Sequence, residues 1–229
     1  VMTSVVTDIR AMYEPRWMRR GMWDRAYYEA RIPKCPTLLL EVMSHQNFAE
    51  MRLGLDPAFR FDVSRAIYKG MLKHIAAQYD MEYVVQPLPV KRFSAHLIDR
   101  SVKLSWQPAE DIFEPTATAD YYILYTRVGD GGFDAGRRVE GTSLYVEQRL
   151  GEVYSYKITA VNRGGESFDS ETLAVCRARN SRGSVLVING FDRVAAPLSI
   201  QGDSVAGFYN EYDSGVAYLS DISFIGSQH

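Results

Sequence analysis

"VYSYKITAVNRGGES", residues 153–167, runs in period two: Tyr154, Tyr156, Ile158 and Ala160 fall on one face, Ser155, Lys157 and Thr159 on the other. Aromatic and β-branched residues with that period predict a strand with one buried face, and the Gly-rich end predicts a turn. The pattern recurs upstream in "VKLSW" (102–106), "YYILYTRV" (121–128) and "TSLYVEQ" (142–148), with Gly, Asp and Pro clusters between the runs. Short strands with frequent turns imply an antiparallel β-sandwich. "GDGGFDAG" (129–136) lies between two of these strands and lacks the Lys-Ser/Thr of a nucleotide-binding loop, so it reads as a hairpin loop.

On these residues the region 94–178 resembles a fibronectin type III domain. Trp106, closing "VKLSW", stands where that family keeps a core tryptophan, and the run from Leu150 through Tyr154 to Asn162 resembles its sixth strand. The resemblance implies that Trp106 is buried between two sheets. It also implies that the Tyr154 hydroxyl closes a tyrosine corner on a backbone carbonyl near Leu150. No Arg-Gly-Asp tripeptide is present, so adhesion by that route has no support.

Upstream, "QPLPV" (86–90) places two prolines in five residues and predicts an extended linker, 84–93. Residues 1–83 read as α/β. Val5, Ile9 and Met12 have helical spacing, and Thr37 to Val42 reads as a buried strand. Asp56-Pro57 opens an amphipathic helix, Asp56 as N-cap and Pro57 as first helical residue. Its apolar face is expected to hold Phe61, Ala66, Ile67, Met71 and Ile75, with Arg60, Asp62, Arg65, Lys69 and Lys73 outside. Downstream, 179–229 reads as the start of a further α/β-like segment, with strands expected at "SVLVING" (184–190) and "ISFIG" (222–226). Asp192 in "NGFDR" reads as a turn acid. The expected fold class is multidomain α/β plus all-β.

The first region carries the candidate chemistry. In "CPTLLLEVMSHQN" (35–47) a Pro-led apolar run ends on a lone acid, Glu41, followed by His45 and Asn47. The segment resembles the end of zinc-dependent N-acetylmuramoyl-L-alanine amidases, in which such a strand delivers a catalytic Glu with an Asn six residues on. "RRGM" (19–22), Glu50, Leu53 and "AIYKGML" (66–72) match neighbouring elements of that family, so the resemblance covers residues 1–80. It implies a partial amidase-like α/β domain in 1–83, with Glu41 as catalytic base and Asn47 and His45 as substrate-binding residues. A metal-bound water would be the nucleophile and the carboxylate its proton acceptor.

In that family the zinc is held by a His, a Glu and a second His upstream of this strand. The four histidines here, His45, His74, His96 and His229, all follow Glu41. Zinc is therefore expected in the intact parent domain and none in this chain alone, since a catalytic zinc needs about three protein ligands. The family's Gly-Phe after the Glu is replaced by Met43 and Ser44, which alters the pocket and weakens the case for peptidoglycan as substrate.

Composition limits the partners. A net charge of −2 over 229 residues offers no basic field for nucleic acid or anionic membrane, and no apolar run is long enough to span a bilayer. The two cysteines, Cys35 and Cys176, are expected as small buried residues in different domains, with no disulfide expected between them. The chain begins at Val1 and is expected to be a piece of something longer. Two functions follow as expectations. One is a fragment of a secreted bacterial zinc hydrolase of the amidase type, inactive alone. The other is a non-catalytic accessory or spacer region of a secreted polysaccharide-degrading, xanthan-lyase-like protein. Both place it outside the cytoplasm, secreted, periplasmic or at the cell surface, with a cell-wall or polysaccharide glycan as partner. The sequence leaves the oligomeric state open.

Overall fold

The computed structural model describes residues 1–188 and 196–209. They form two compact units, Val1–Met81 with the strands of 198–209, and a second unit that begins at Glu82.

The first unit is built on helices α1 (Met2–Met12), α2 (Tyr28–Arg31), α3 (Phe48–Gly54) and α4 (Pro57–Tyr79). The α4 start follows the sequence reading: the Asp56 side chain accepts from the Ala58 N–H at 2.9 Å, and Pro57 takes the first turn, where its missing N–H costs nothing. The helix stops at Asp80, whose left-handed φ of 51° turns the following N–H, that of Met81, onto the Ala76 carbonyl at 2.9 Å. The buried face of α4 differs from the expected one. Phe59, Val63 and Ala66 meet Val5 and Ile9 of α1, whereas Met71 and Ile75 are half exposed. Two residues without an apolar signature explain the rotation. At Gly70 a Cβ would stand 2.7 Å from the Val1 Cα, so the glycine admits α1 to close range. Beside it, Lys69 is buried against Asp8 of α1 with Nζ–Oδ2 at 2.6 Å. Tyr13 then packs edge-on against Phe59, centroids 4.9 Å apart, and donates its hydroxyl to Asp62.

The strand expected at 37–42 does not form. Among the described residues no strand pairs with it, and a single extended segment cannot satisfy a ladder. Leu40 and Val42 rest against the helical core while Leu38 is 54% exposed. No strand occurs among residues 1–81, so this part is helical in place of the expected α/β layer.

The second unit contains β1 (Lys91–Ile98), β2 (Ser101–Gln107), β3 (Tyr121–Val128), β4 (Arg137–Val139), β5 (Ser143–Glu147), β6 (Val153–Asn162), β7 (Gly165–Glu166) and β8 (Leu173–Cys176). One sheet runs β1-β2-β5. The other runs β4-β3-β6, with β7 and β8 both on β6, and every pairing is antiparallel. Val102, Leu104 and Trp106 from the first sheet meet Tyr122, Leu124, Tyr156, Ile158 and Ala160 from the second in one core. Trp106 is 4% exposed, its ring 5.3 Å from that of Tyr122.

The corner at Tyr154 is closed differently from the expectation. Its hydroxyl donates to the Glu152 carboxylate at 3.0 Å and lies 3.4 Å from the Arg149 N–H, so the upstream backbone supplies a donor in place of a carbonyl. Neighbouring Tyr156 takes its own bond from the Gln148 side-chain amide at 3.0 Å. In the 129–136 loop, Asp134 accepts from the Thr126 and Gly136 N–H groups, each at 3.0 Å, and holds the hairpin shut.

Residues 82–90 are extended and packed onto the sandwich, with Val85, Pro87 and Val90 buried. Their anchor is Asn162 at the end of β6, whose amide donates to the Val85 carbonyl at 2.9 Å and to those of Thr116 and Thr118, both at 3.1 Å. Gly164 makes the approach possible, because a Cβ there would come within 2.3 Å of the Val84 oxygen.

Downstream, Val185–Ile188 are exposed and irregular, so the strand expected at 184–190 is not formed in its described part. Asp192 and the strand expected at 222–226 lie outside the described residues. An antiparallel hairpin of β9 (Leu198–Gln201) and β10 (Ala206–Tyr209) joins the first unit and brings the Phe208 ring within 5.2 Å of Phe48. Both cysteines are exposed free thiols, not the buried residues expected.

Candidate functional site

Three sequence-predicted residues were expected to share a site: Glu41, His45 and Asn47. Glu41 stands in the extended segment between Leu40 and Val42. These two turn toward the helical core, so alternation turns Glu41 to solvent. Its carboxylate makes no hydrogen bond or ion pair among the described residues. His45 is exposed in the turn before α3. Asn47 serves the backbone as the N-cap of α3, its Oδ1 accepting from the N–H groups of Ala49 at 3.1 Å and Glu50 at 3.4 Å. Glu50 reaches back to the Ser44 N–H at 2.5 Å, so acid and amide together satisfy the free donors of this turn.

A zinc centre fails the donor test here. Among the described residues no three His, Cys, Asp or Glu side chains converge, and the neighbourhood of Glu41 offers one imidazole in sequence reach. Trp17 lies against Phe59, centroids 6.0 Å apart, as part of the core rim, whereas Trp23 is exposed beneath the Arg25 guanidinium at 4.9 Å.

On the β4-β3-β6 sheet two cations have an acid beside them, whereas Arg127 reaches a hydroxyl, that of Ser155, at 3.2 Å. Lys157 pairs with Asp169 at 2.5 Å and lies over the Tyr125 and Phe133 rings, and Arg138 pairs with Glu140 at 2.8 Å while covering Tyr121. The Tyr125 hydroxyl donates to Glu166 at 2.7 Å; burial, then that carboxylate, push its pKa up to about 12. On the β1-β2-β5 sheet a shallow groove of about 310 Å³ is lined by Arg92, Lys103, Ser105, Gln107, Thr142 and Ser143 together with part of Trp106, with no acid among its walls. No single polar residue of that set stands out in the sequence. Only the pairing register assembles them.

No family model and no curated protein matches the chain. Similar solved structures include the twitchin kinase region from C. elegans, at 25% identity over 42% of this chain with a TM-score of 0.36. This chain spans only 18% of that protein. A structure described as a myokine matches at 18% identity over 41% of this chain and 100% of its own, TM-score 0.33. The sixth fibronectin type III domain of human fibronectin type III domain containing protein 3 matches at 16% identity, 45% of this chain and 97% of its own, TM-score 0.37. Three strands facing a sheet ordered β4-β3-β6 make the second unit a fibronectin type III-like β-sandwich on its own topology. Among the described residues no helix is long and apolar enough to cross a membrane.

Proposed function

We propose that this chain is a non-catalytic accessory region of a larger secreted protein, in which the sandwich spaces its neighbours at a polysaccharide or cell-wall surface. The observation that supports it is where the chain joins and leaves the sandwich. The incoming segment is tied at Val85 to Asn162, the last residue of β6. The outgoing segment pairs Cys176 with Val153, the first residue of β6, and its Arg177 carbonyl takes the Gly151 N–H at 2.8 Å. β6 is ten residues long, so at roughly 3.4 Å per residue the two points stand about 30 Å apart. A module joined at opposite ends and clamped at both separates its neighbours by its own length.

The second reading, a fragment of an amidase-type zinc hydrolase, draws on the exposed Glu41 beyond a Pro-led apolar segment. On that reading residues 1–83 belong to a domain whose metal ligands lie outside this chain. One pair of measurements separates the two. Nitroxide labels go on Glu82→Cys and Arg179→Cys in a chain whose Cys35 and Cys176 are serine. They should give a narrow distance distribution centred on the order of 30 Å, and a broad or short one would sink the spacer reading. Muropeptide cleavage by the full chain with added zinc, abolished by Glu41→Gln, would establish the hydrolase instead; no cleavage is expected.

A further inference from the structure

The groove on the β1-β2-β5 sheet follows from strand register. Val102, Leu104 and Trp106 face the core, so Lys103, Ser105 and Gln107 face out. Pairing sets Ser94, Ser105 and Ser143 in one cross-strand row and His96, Lys103 and Tyr145 in the next. At the groove end the ladder is broken by a register shift between Lys91 and Ser94, where Arg92 adopts a left-handed φ of 53°. Such bulges re-aim a side chain, and here the re-aimed side chain is a guanidinium lining the groove.

The side chains of Arg92 and Lys103 make no ion pair or hydrogen bond among the described residues, in contrast to Lys157 and Arg138 on the opposite sheet. Two uncompensated cations in a concave, polar recess concentrate positive potential. Around them stand hydroxyls of Thr142 and Ser143 and the Gln107 amide; the Ser105 hydroxyl is shared with Ser94 at 2.8 Å. One step along the sheet, Tyr145 is 59% exposed and paired across from Lys103, an aromatic face open to the C–H side of a sugar ring.

We propose that this groove binds an acidic polysaccharide: Lys103 and Arg92 take the carboxylate of one uronic-acid unit, the hydroxyl and amide groups take its ring hydroxyls, and Tyr145 carries the adjoining sugar. The inference deepens the accessory reading by naming the polymer class. The label-distance measurement stands apart from it, so either can fail alone.

The test uses the full 229-residue chain and calorimetric titration with oligogalacturonate, its methyl ester and inorganic polyphosphate. The free acid should bind, more weakly as salt rises, and the ester should bind about tenfold or more weakly, the usual value of a charge-assisted contact. Lys103→Gln with Arg92→Gln should remove that preference without moving the thermal midpoint. Should the double variant fail to fold, Lys103→Gln alone and Tyr145→Ala apply the same test, each weakening binding of the acid. Equal affinity for acid and ester, no effect of the substitutions, or no binding of the acid would overturn the proposal. Polyphosphate binding as tightly at the same cations would overturn it in favour of an unselective anion site.

Discussion

Asn162→Ala removes the clamp that fixes the incoming chain to the sandwich. In the native chain the Asn162 amide serves the carbonyls of Val85, Thr116 and Thr118, and its Oδ1 takes the Gly164 N–H at 2.8 Å. Asn162 is 7% exposed and Val85 fully buried, so water cannot replace these bonds without opening the site. A buried group left unsatisfied costs about 1–3 kcal/mol; of the four groups released, the Val85 carbonyl is in a buried bond and the other three are part-buried, so the substitution should cost about 2–4 kcal/mol. For a domain of this size that is a fall of roughly 10–20 °C in the midpoint of the sandwich transition. Asn162→Asp should cost at least as much: it keeps the volume and the acceptor for Gly164 but turns an anion toward three carbonyls. Differential scanning calorimetry of the full chain gives the midpoint, and hydrogen exchange of 82–90 shows whether the segment is released. A midpoint within about 2 °C of the parent, with protection of 82–90 intact, would refute the reasoning, because the clamp would then contribute nothing to holding the segment.

Two further predictions concern other parts of the molecule. Lys69→Met leaves Asp8 buried without its cation and should cost about 3–5 kcal/mol, whereas Lys69→Met with Asp8→Leu should recover most or all of that loss; urea unfolding followed by helical circular dichroism measures both. Tyr125 is held protonated by burial and by Glu166, with its pKa raised from 10.0 to about 12, so its contribution is complete below pH 10 and lost as pH rises through about 12. Melting curves across that alkaline window should show stability falling with pH, and Tyr125→Phe should flatten the fall.

The β-sandwich was legible because each strand commits one row of side chains to one core. Tyr154, Tyr156, Ile158 and Ala160 announce their face by period alone, and Trp106 confirms the partner sheet. The helical unit was less legible, for reasons visible at α4. Period assigns Lys69 to water, since the acid that permits its burial lies on another helix, and it assigns nothing to Gly70, whose role is the space it leaves for Val1. Removing those two from the face shifts the apparent stripe toward Met71 and Ile75, which the structure leaves half exposed. At 37–42 composition indicates a strand, but a strand is a property of pairs, and the described residues provide no partner.

The candidate sites divide on the same ground. Asn47 carried a local signal for its observed role, since Asn followed three residues later by Glu50 is a helix-start pattern, and the structure uses both residues for that purpose. The resemblance to a catalytic segment competed with that simpler reading. The groove carried no local signal at all: Arg92 on β1, Lys103 and Gln107 on β2, and Thr142 and Ser143 at the start of β5 are each ordinary surface residues in isolation. Where Lys157 and Arg138 each have an acid within bonding distance, Arg92 and Lys103 have none among the described residues, and the break in the ladder between Lys91 and Ser94 is what brings those two cations to one recess.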